Sequence, residues 1–253
     1  MAESLEQAWE LNQKGRNNVI IGGNLWLKMG NRNILNAIDL STLGLDRIEE
    51  DEGGFRIGCM ATLRDIEMHE GLNKEFQSLF KEAVRHIVGV QFRNCATVGG
   101  SIFPKLGFSD VLTAFLACDT QVILYKKGEV SLREFIYMPT DNDILTHIYV
   151  KKDGRKTAYE SFRMTETDFP TLTCAMAMVD GRFETVLGAR PKHAEVVIDE
   201  ELADSLSKED VASYAKRVID KLQYGSNIRG SKQYRKQLSK VLISRCISRL
   251  TEE

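Results

Sequence analysis

The chain has 253 residues, 34 Lys and Arg against 36 Asp and Glu, a net charge of −2 and 43% hydrophobic residues. That is enough core for one large or two modest domains, and the balanced charge speaks against nucleic-acid binding as the main task. No apolar run approaches the ~20 residues of a membrane span. The opening Met1-Ala2-Glu3-Ser4 has no signal-peptide core, so a cytoplasmic protein is expected.

In chain order, Ser4-x-x-Gln7 reads as a capping box before a helical stripe of Leu5, Ala8, Trp9 and Leu11. Residues 19–21 read as a buried strand that ends at Gly22-Gly23, and 37–40 as another. Residues 47–50 and 55–59 flank Glu52-Gly53-Gly54 as a hairpin. Thr62 with Asp65 caps a short helix through Met68, and a longer helix is predicted over about 73–88. Then comes Gln91-Phe92-Arg93-Asn94-Cys95-Ala96-Thr97-Val98-Gly99-Gly100-Ser101, read as a strand-like run entering a second Gly-Gly turn. Residues 110–117 predict a buried helix, 121–125 a strand, and Ser131 the cap of a short helix.

The texture changes at Lys151-Lys152-Asp153-Gly154-Arg155-Lys156. Beyond it lie three strand-like runs, 157–163, 171–179 and 182–187, the last two joined by a hairpin turn at Asp180-Gly181. From about Glu195 the pattern reads as helical. Strands first and helices after predict a small α+β domain. The expected division is 1–152 and 153–253.

The two Gly-Gly turns carry the functional argument. Glycine permits positive φ and removes the Cβ that blocks close approach. Successive N–H groups can then face one concavity and hold an anion, and a helix start adds its own free N–H groups. Two such turns suggest a ligand with two linked phosphates, a dinucleotide held by backbone. Each turn alone is equally a tight strand-to-helix connection. Neither is a G-x-G-x-x-G fingerprint or a P-loop.

Asp110 is either a helix cap or an acceptor for ribose hydroxyls or an adenine amine. Arg163 is either a solvated strand residue or a cation tuning a flavin. Residues 221–253 carry Lys221, Arg229, Lys232, Arg235, Lys236, Lys240, Arg245 and Arg249, read as a solvated helix face. The five cysteines (59, 95, 118, 174, 246) form no C-x-x-C pair, and the four histidines are dispersed. Reduced thiols and no bound metal are expected.

These residues together resemble the FAD-binding subunit of the molybdenum hydroxylases, the xanthine dehydrogenase and carbon monoxide dehydrogenase group. Ile21-Gly22-Gly23-Asn24 is similar to the family's first phosphate loop. Arg56-Ile57-Gly58-Cys59-Met60-Ala61-Thr62-Leu63 is similar to the segment after its hairpin. The stretch 91–100 carries the second loop. Leu187-Gly188-Ala189-Arg190-Pro191 and Arg229-Gly230-Ser231-x-x-Tyr234-Arg235 are similar to landmarks of its C-terminal domain. The resemblance implies an α+β fold: a two-lobed FAD-binding domain, then a three-stranded antiparallel sheet with helices.

It also implies FAD contacts at Val19, Ile20, Ile21, Gly22, Gly23, Asn24, Leu25 and Trp26, and at Thr97, Val98, Gly99, Gly100 and Ser101, chiefly to the pyrophosphate. Ile87, Asp110, Leu145 and Arg163 fall at further contact positions. Asp110 is expected at the adenosine end and Arg163 near the isoalloxazine. No catalytic side chain is expected, because the flavin carries the chemistry. The implied function is electron transfer within an oxidoreductase complex. Its partners are a molybdopterin-binding large subunit and a 2Fe–2S small subunit, with NAD⁺ or another compound as acceptor.

The chain departs from the family pattern in places. Asn24-Leu25 stands where Thr-Asp is common, Ser101 where Asn is common, and Met164-Thr165-Glu166 replaces a basic pair. Two other readings stay open: a self-contained flavin oxidoreductase, and a degenerate non-enzymatic subunit for nucleotide binding or assembly.

Overall fold

The computed structural model describes residues 1–199 and 207–251. The chain opens with α1 (Leu5–Gln13), where the Ser4 hydroxyl accepts the Gln7 N–H at 3.1 Å. A small βαβ unit follows: β1 (Asn18–Ile21), α2 (Leu25–Met29) and β2 (Asn36–Asp39), the two strands parallel with Val19 opposite Ala37.

The hairpin β3 (Ile48–Glu50) and β4 (Gly54–Gly58) closes on Asp51, whose Oδ1 accepts the N–H groups of Gly53 and Gly54, each at 2.7 Å. Next, α3 (Leu63–Met68) carries the expected Thr62/Asp65 capping box. The long helix expected over 73–88 is instead two short ones, α4 (Glu70–Glu75) and α5 (Leu79–Val84). Gln77 and Ser78 sit between them at φ 44° and 63°. Asn73 fixes that break: its amide donates to the Ile66, Glu67 and His69 carbonyls, and its Oδ1 accepts the Lys81 N–H. A local side-chain network has overridden helical periodicity.

Three further short helices are α6 (Val90–Arg93), α7 (Val98–Ile102) and α8 (Asp110–Leu116), and α8 buries every residue. Then come β5 (Thr120–Leu124), β6 (Gly128–Ser131), α9 (Leu132–Phe135) and β7 (Leu145–Lys151). Strands β3, β4, β7, β5 and β6 form an antiparallel sheet in that order. β7, not among the strands expected from the sequence, lies at its centre. Its signal was the alternation of Ile148 and Val150 with His147 and Tyr149.

The remaining strands are β8 (Lys156–Arg163), β9 (Pro170–Val179), β10 (Arg182–Gly188) and β11 (Glu195–Ile198), in an antiparallel sheet ordered β11-β10-β9-β8. Three strands match the expected sheet. The fourth, β11, corrects the helical reading from Glu195: Val196 and Val197 pair with Val186 and Thr185 on an edge. Asp180 and Gly181 adopt φ 47° and 73°, as the turn between β9 and β10 requires.

Helices α10 (Lys208–Asp220) and α11 (Lys232–Thr251) cover one face of this sheet. The opposite face contributes Tyr159, Ala175 and Val186 to the core of the preceding part. Arg235 and Arg190 are fully buried staples rather than solvated cations. Arg235 donates to the Thr171, Gly225 and Gly230 carbonyls and to Asn227. Arg190 donates to the carbonyls of Leu187, Gln223 and His193. Those two landmarks of the motif reading therefore hold loops in place. Arg235, expected on a solvated face, is instead wholly buried.

Candidate functional site

The two Gly-Gly segments meet in space. A Cβ at Gly23 would overlap the Cys95 carbonyl, and one at Gly22 would collide with Thr97 Oγ1. A Cβ at Gly99 would lie 2.7 Å from both Cβ and the carbonyl oxygen of Cys59. These three glycines permit close backbone approach, and none of the four has positive φ; in the first segment it is Asn24 that turns left-handed, at φ 56°. The expectation of positive-φ glycines is thereby corrected: contact, not chirality, demands glycine here.

The second segment also differs from a strand-and-loop. A short helix, α6, precedes it, and Gly99 and Gly100 lie inside α7. Its N–H groups are already committed. Val98 donates to the Ala61 carbonyl at 2.8 Å and Gly99 to the Cys59 carbonyl at 2.9 Å. Gly100 donates to Thr97 Oγ1 and Ser101 to the Thr97 carbonyl, both at 3.1 Å. Behind it, buried Arg93 donates to both oxygens of buried Glu67, at 2.8 and 3.2 Å, and to the Ile87 carbonyl. What this segment turns outward is the exposed Gly100 and the half-buried Ser101.

The first segment is the reverse. Among the described residues, the N–H groups of Gly23, Asn24, Leu25, Trp26 and Leu27 have no acceptor within the protein; the first bond of the turn is Lys28 N–H to the Asn24 carbonyl, at 3.4 Å. Five consecutive unused donors, with no acidic residue in the first turn of α2, suit a phosphate.

From the second segment the contacts lead on. Ser109 Oγ donates to the Ser101 carbonyl at 3.1 Å and also caps α8, whose first residue is Asp110. Asp110 is 4% exposed. It pairs with Arg163 Nη2 at 2.7 Å and accepts the Tyr159 hydroxyl. Burial pushes the Asp110 carboxyl upward against the pull of Arg163. Burial also opposes the Arg163 charge, but Asp110 overrides it and raises that pKa. Asp110 was expected at the adenosine end and Arg163 near the isoalloxazine; the two side chains lie side by side as one buried ion pair.

Arg163 Nε donates to the Asp168 carbonyl at 3.1 Å, and Phe169 follows Asp168. Phe169 stacks on Trp26, with ring centroids 5.5 Å apart and planes at 28°. Trp26 belongs to the first segment, so the circuit closes. Gly22-Gly23, Thr97–Ser101, Asp110, Arg163 and Trp26 share one ring of contacts. The remaining candidates border it. Ile87 is half-buried beside His86, which lies 3.8 Å from Glu166 in the turn after Arg163. Leu145 is a core residue at the start of β7, where the Thr146 carbonyl accepts the N–H of Cys59, the residue that receives Gly99. Val19, Ile20 and Ile21 are half-buried in β1.

Sequence reasoning missed Tyr159, Phe108 and Phe169. Each is one aromatic in an unremarkable stretch, and only the tertiary fold makes them neighbours. Among the described residues, no three His, Cys, Asp or Glu side chains form a metal-binding group. No helix there is long and apolar enough to cross a membrane.

With this geometry, the family of the FAD binding domain in molybdopterin dehydrogenase matches residues 1–150. The glyceraldehyde dehydrogenase medium chain of Sulfolobus acidocaldarius is 26% identical over 95% of this chain and 93% of its own length. The uncharacterized protein YgfM of Escherichia coli K12 is 27% identical over 70% and 68%. Among solved structures, quinoline 2-oxidoreductase from Pseudomonas putida 86 superposes with a TM-score of 0.87 at 17% identity, covering 98% of this chain and 94% of that one. Carbon monoxide dehydrogenase from Hydrogenophaga pseudoflava gives 0.86 at 21%, covering 98% and 95%. The chain belongs to the family of the FAD binding domain in molybdopterin dehydrogenase, and its cofactor is FAD.

Proposed function

We propose that this chain holds FAD along the ring of contacts just described and relays electrons within a three-subunit oxidoreductase. They arrive from a molybdopterin-binding large subunit through a 2Fe–2S small subunit and leave to NAD⁺ or a similar acceptor. The observation that carries the reading is the run of five unused N–H donors at Gly23–Leu27, seated against the second glycine segment. Bound FAD supplies the two-electron chemistry. The chain's own residues bind and orient. Gly23–Leu27 hold phosphate, and Gly100 leaves room for it to approach. The neutralised Asp110–Arg163 pair presents an acceptor and a donor to one part of the ligand. Ile87 and Leu145 furnish apolar contacts.

The division into 1–152 and 153–253 belongs to the same reading. The five-stranded sheet ends at Lys151 and the four-stranded sheet begins at Lys156. The name of the Sulfolobus relative, a medium chain, supports a place in a multi-subunit complex.

The test is a titration of the full chain with FAD, followed by NADH. Tight binding and bleaching of the flavin by NADH are expected. Binding without bleaching moves the acceptor away from NAD⁺, and no binding overturns the reading. Capture of two partners, one with molybdopterin and one with iron–sulfur clusters, separates the relay from a self-contained oxidoreductase.

A further inference from the structure

Trp26, Phe108 and Phe169 come from three distant stretches: α2, the connection before α8, and the turn between β8 and β9. Their ring centroids lie 5.6, 5.5 and 4.6 Å apart. The group is braced from behind. The Arg229 guanidinium lies 4.9 Å from the Phe169 ring centre and pairs with Asp168 at 2.9 Å. The cluster is open on one side: Trp26 is 45% exposed, and α2 buries none of its residues. The open indole sits on the same short turn as the unused donors, and Arg163 reaches the Asp168 carbonyl next to Phe169 at 3.1 Å.

We propose that Trp26, backed by Phe108 and Phe169, is a stacking platform for a planar heteroaromatic ring of the dinucleotide, which extends the Trp26–Phe169 stack on its open side. This rests on the reading of Gly23–Leu27 as the phosphate-holding segment. A ring stacked on an aromatic side chain gains affinity about tenfold or more, and the preassembled, braced cluster loses little freedom on binding. FAD has two such rings, and its two halves tell them apart.

The test uses the full chain as wild type, Trp26→Leu and Trp26→Phe, each titrated with FAD, FMN and ADP and melted without ligand. Trp26→Leu is expected to lose FAD affinity about tenfold, the lower part of the stacking range. Trp26→Phe should recover most of it. Loss for FMN alone assigns the isoalloxazine to the platform, and loss for ADP alone assigns the adenine. Equal FAD affinity in wild type and Trp26→Leu overturns the proposal. So does an equal loss for both halves accompanied by a lowered melting temperature, the mark of a packing role. A wild type that binds none of the three overturns the phosphate reading itself, and the platform with it.

Discussion

The two glycine segments look alike in sequence and do opposite things in the fold. Residues 97–101 are an anchored, internally bonded helix start: the N–H groups of Val98, Gly99, Gly100 and Ser101 all have protein acceptors. Residues 22–27 lean on that anchor through Gly22 and Gly23, and among the described residues the N–H groups of Gly23–Leu27 find no acceptor. One segment is a wall and the other is the donor row mounted on it. The same dipeptide gives either result, because what decides is which carbonyls the neighbouring chain brings within reach.

The largest expected effect comes from undermining the wall. Glu67→Gln leaves Arg93, 5% exposed, without its charge partner, and breaking a buried pair costs about 3–5 kcal/mol. Chemical denaturation should show that loss, with FAD affinity falling alongside. The sign with pH follows. Burial works to raise the Glu67 carboxyl, but Arg93 and Arg64 hold it below the ordinary value. Its contribution is therefore present above about pH 4.3, the ordinary Glu value, and is lost as the pH falls through the lowered folded value. The variant should flatten that acid limb; an unchanged limb would show that the pair does not anchor the second segment.

Next is the seam. Gly23→Val drives a branched side chain into the Cys95 carbonyl. Overpacking of this kind costs about 1–3 kcal/mol, and the displaced donor row should lower FAD affinity on the order of 100-fold, about 2.7 kcal/mol. Calorimetric titration checks it, and wild-type affinity would mean that the seam does not set the site.

Gly100→Ala sharpens the contrast from the other side. Gly100 is exposed within α7, and its nearest obstacle to a Cβ is Thr97 Oγ1 at 2.9 Å. Replacing a helical glycine with alanine gains up to about 1 kcal/mol, offset by the shift that a Cβ demands of the Thr97 hydroxyl. A chain that melts no lower but binds FAD about tenfold more weakly, about 1.4 kcal/mol, would locate the ligand against this residue. A chain that binds as before would leave Gly100 a bystander.

The smallest effect is expected at Asn24→Ala. Asn tolerates the left-handed conformation better than alanine does, and the difference is about 1 kcal/mol. The cost should appear as weaker FAD binding rather than a lower melting temperature, since no residue of α2 is fully buried. The opposite pattern would make the first segment structural as well.

How much of this was legible beforehand follows from the range of the forces involved. Elements set by neighbours in sequence were readable: the Ser4 and Thr62 caps, β1 ending at Gly22, the Asp180-Gly181 hairpin, and the largely apolar α8. Hydrophobic periodicity and capping act over a few residues, so the residues alone specify them. The long helix over 73–88 failed because Asn73 has partners on both sides of the break. β11 failed because an edge strand is defined by the strand it joins, β10.

The site divides in the same way. That Gly22-Gly23 and Gly99-Gly100 matter, and that their surroundings resemble one flavoprotein family, was in the sequence. Which segment keeps its donors free was settled only by tertiary structure, where Cys59 and Ala61 supply carbonyls to one and no described residue supplies them to the other. The Asp110–Arg163 pair likewise joins residues 53 positions apart at 2.7 Å. Hydrogen bonds and ion pairs are decided by distance in space, which a linear pattern does not contain.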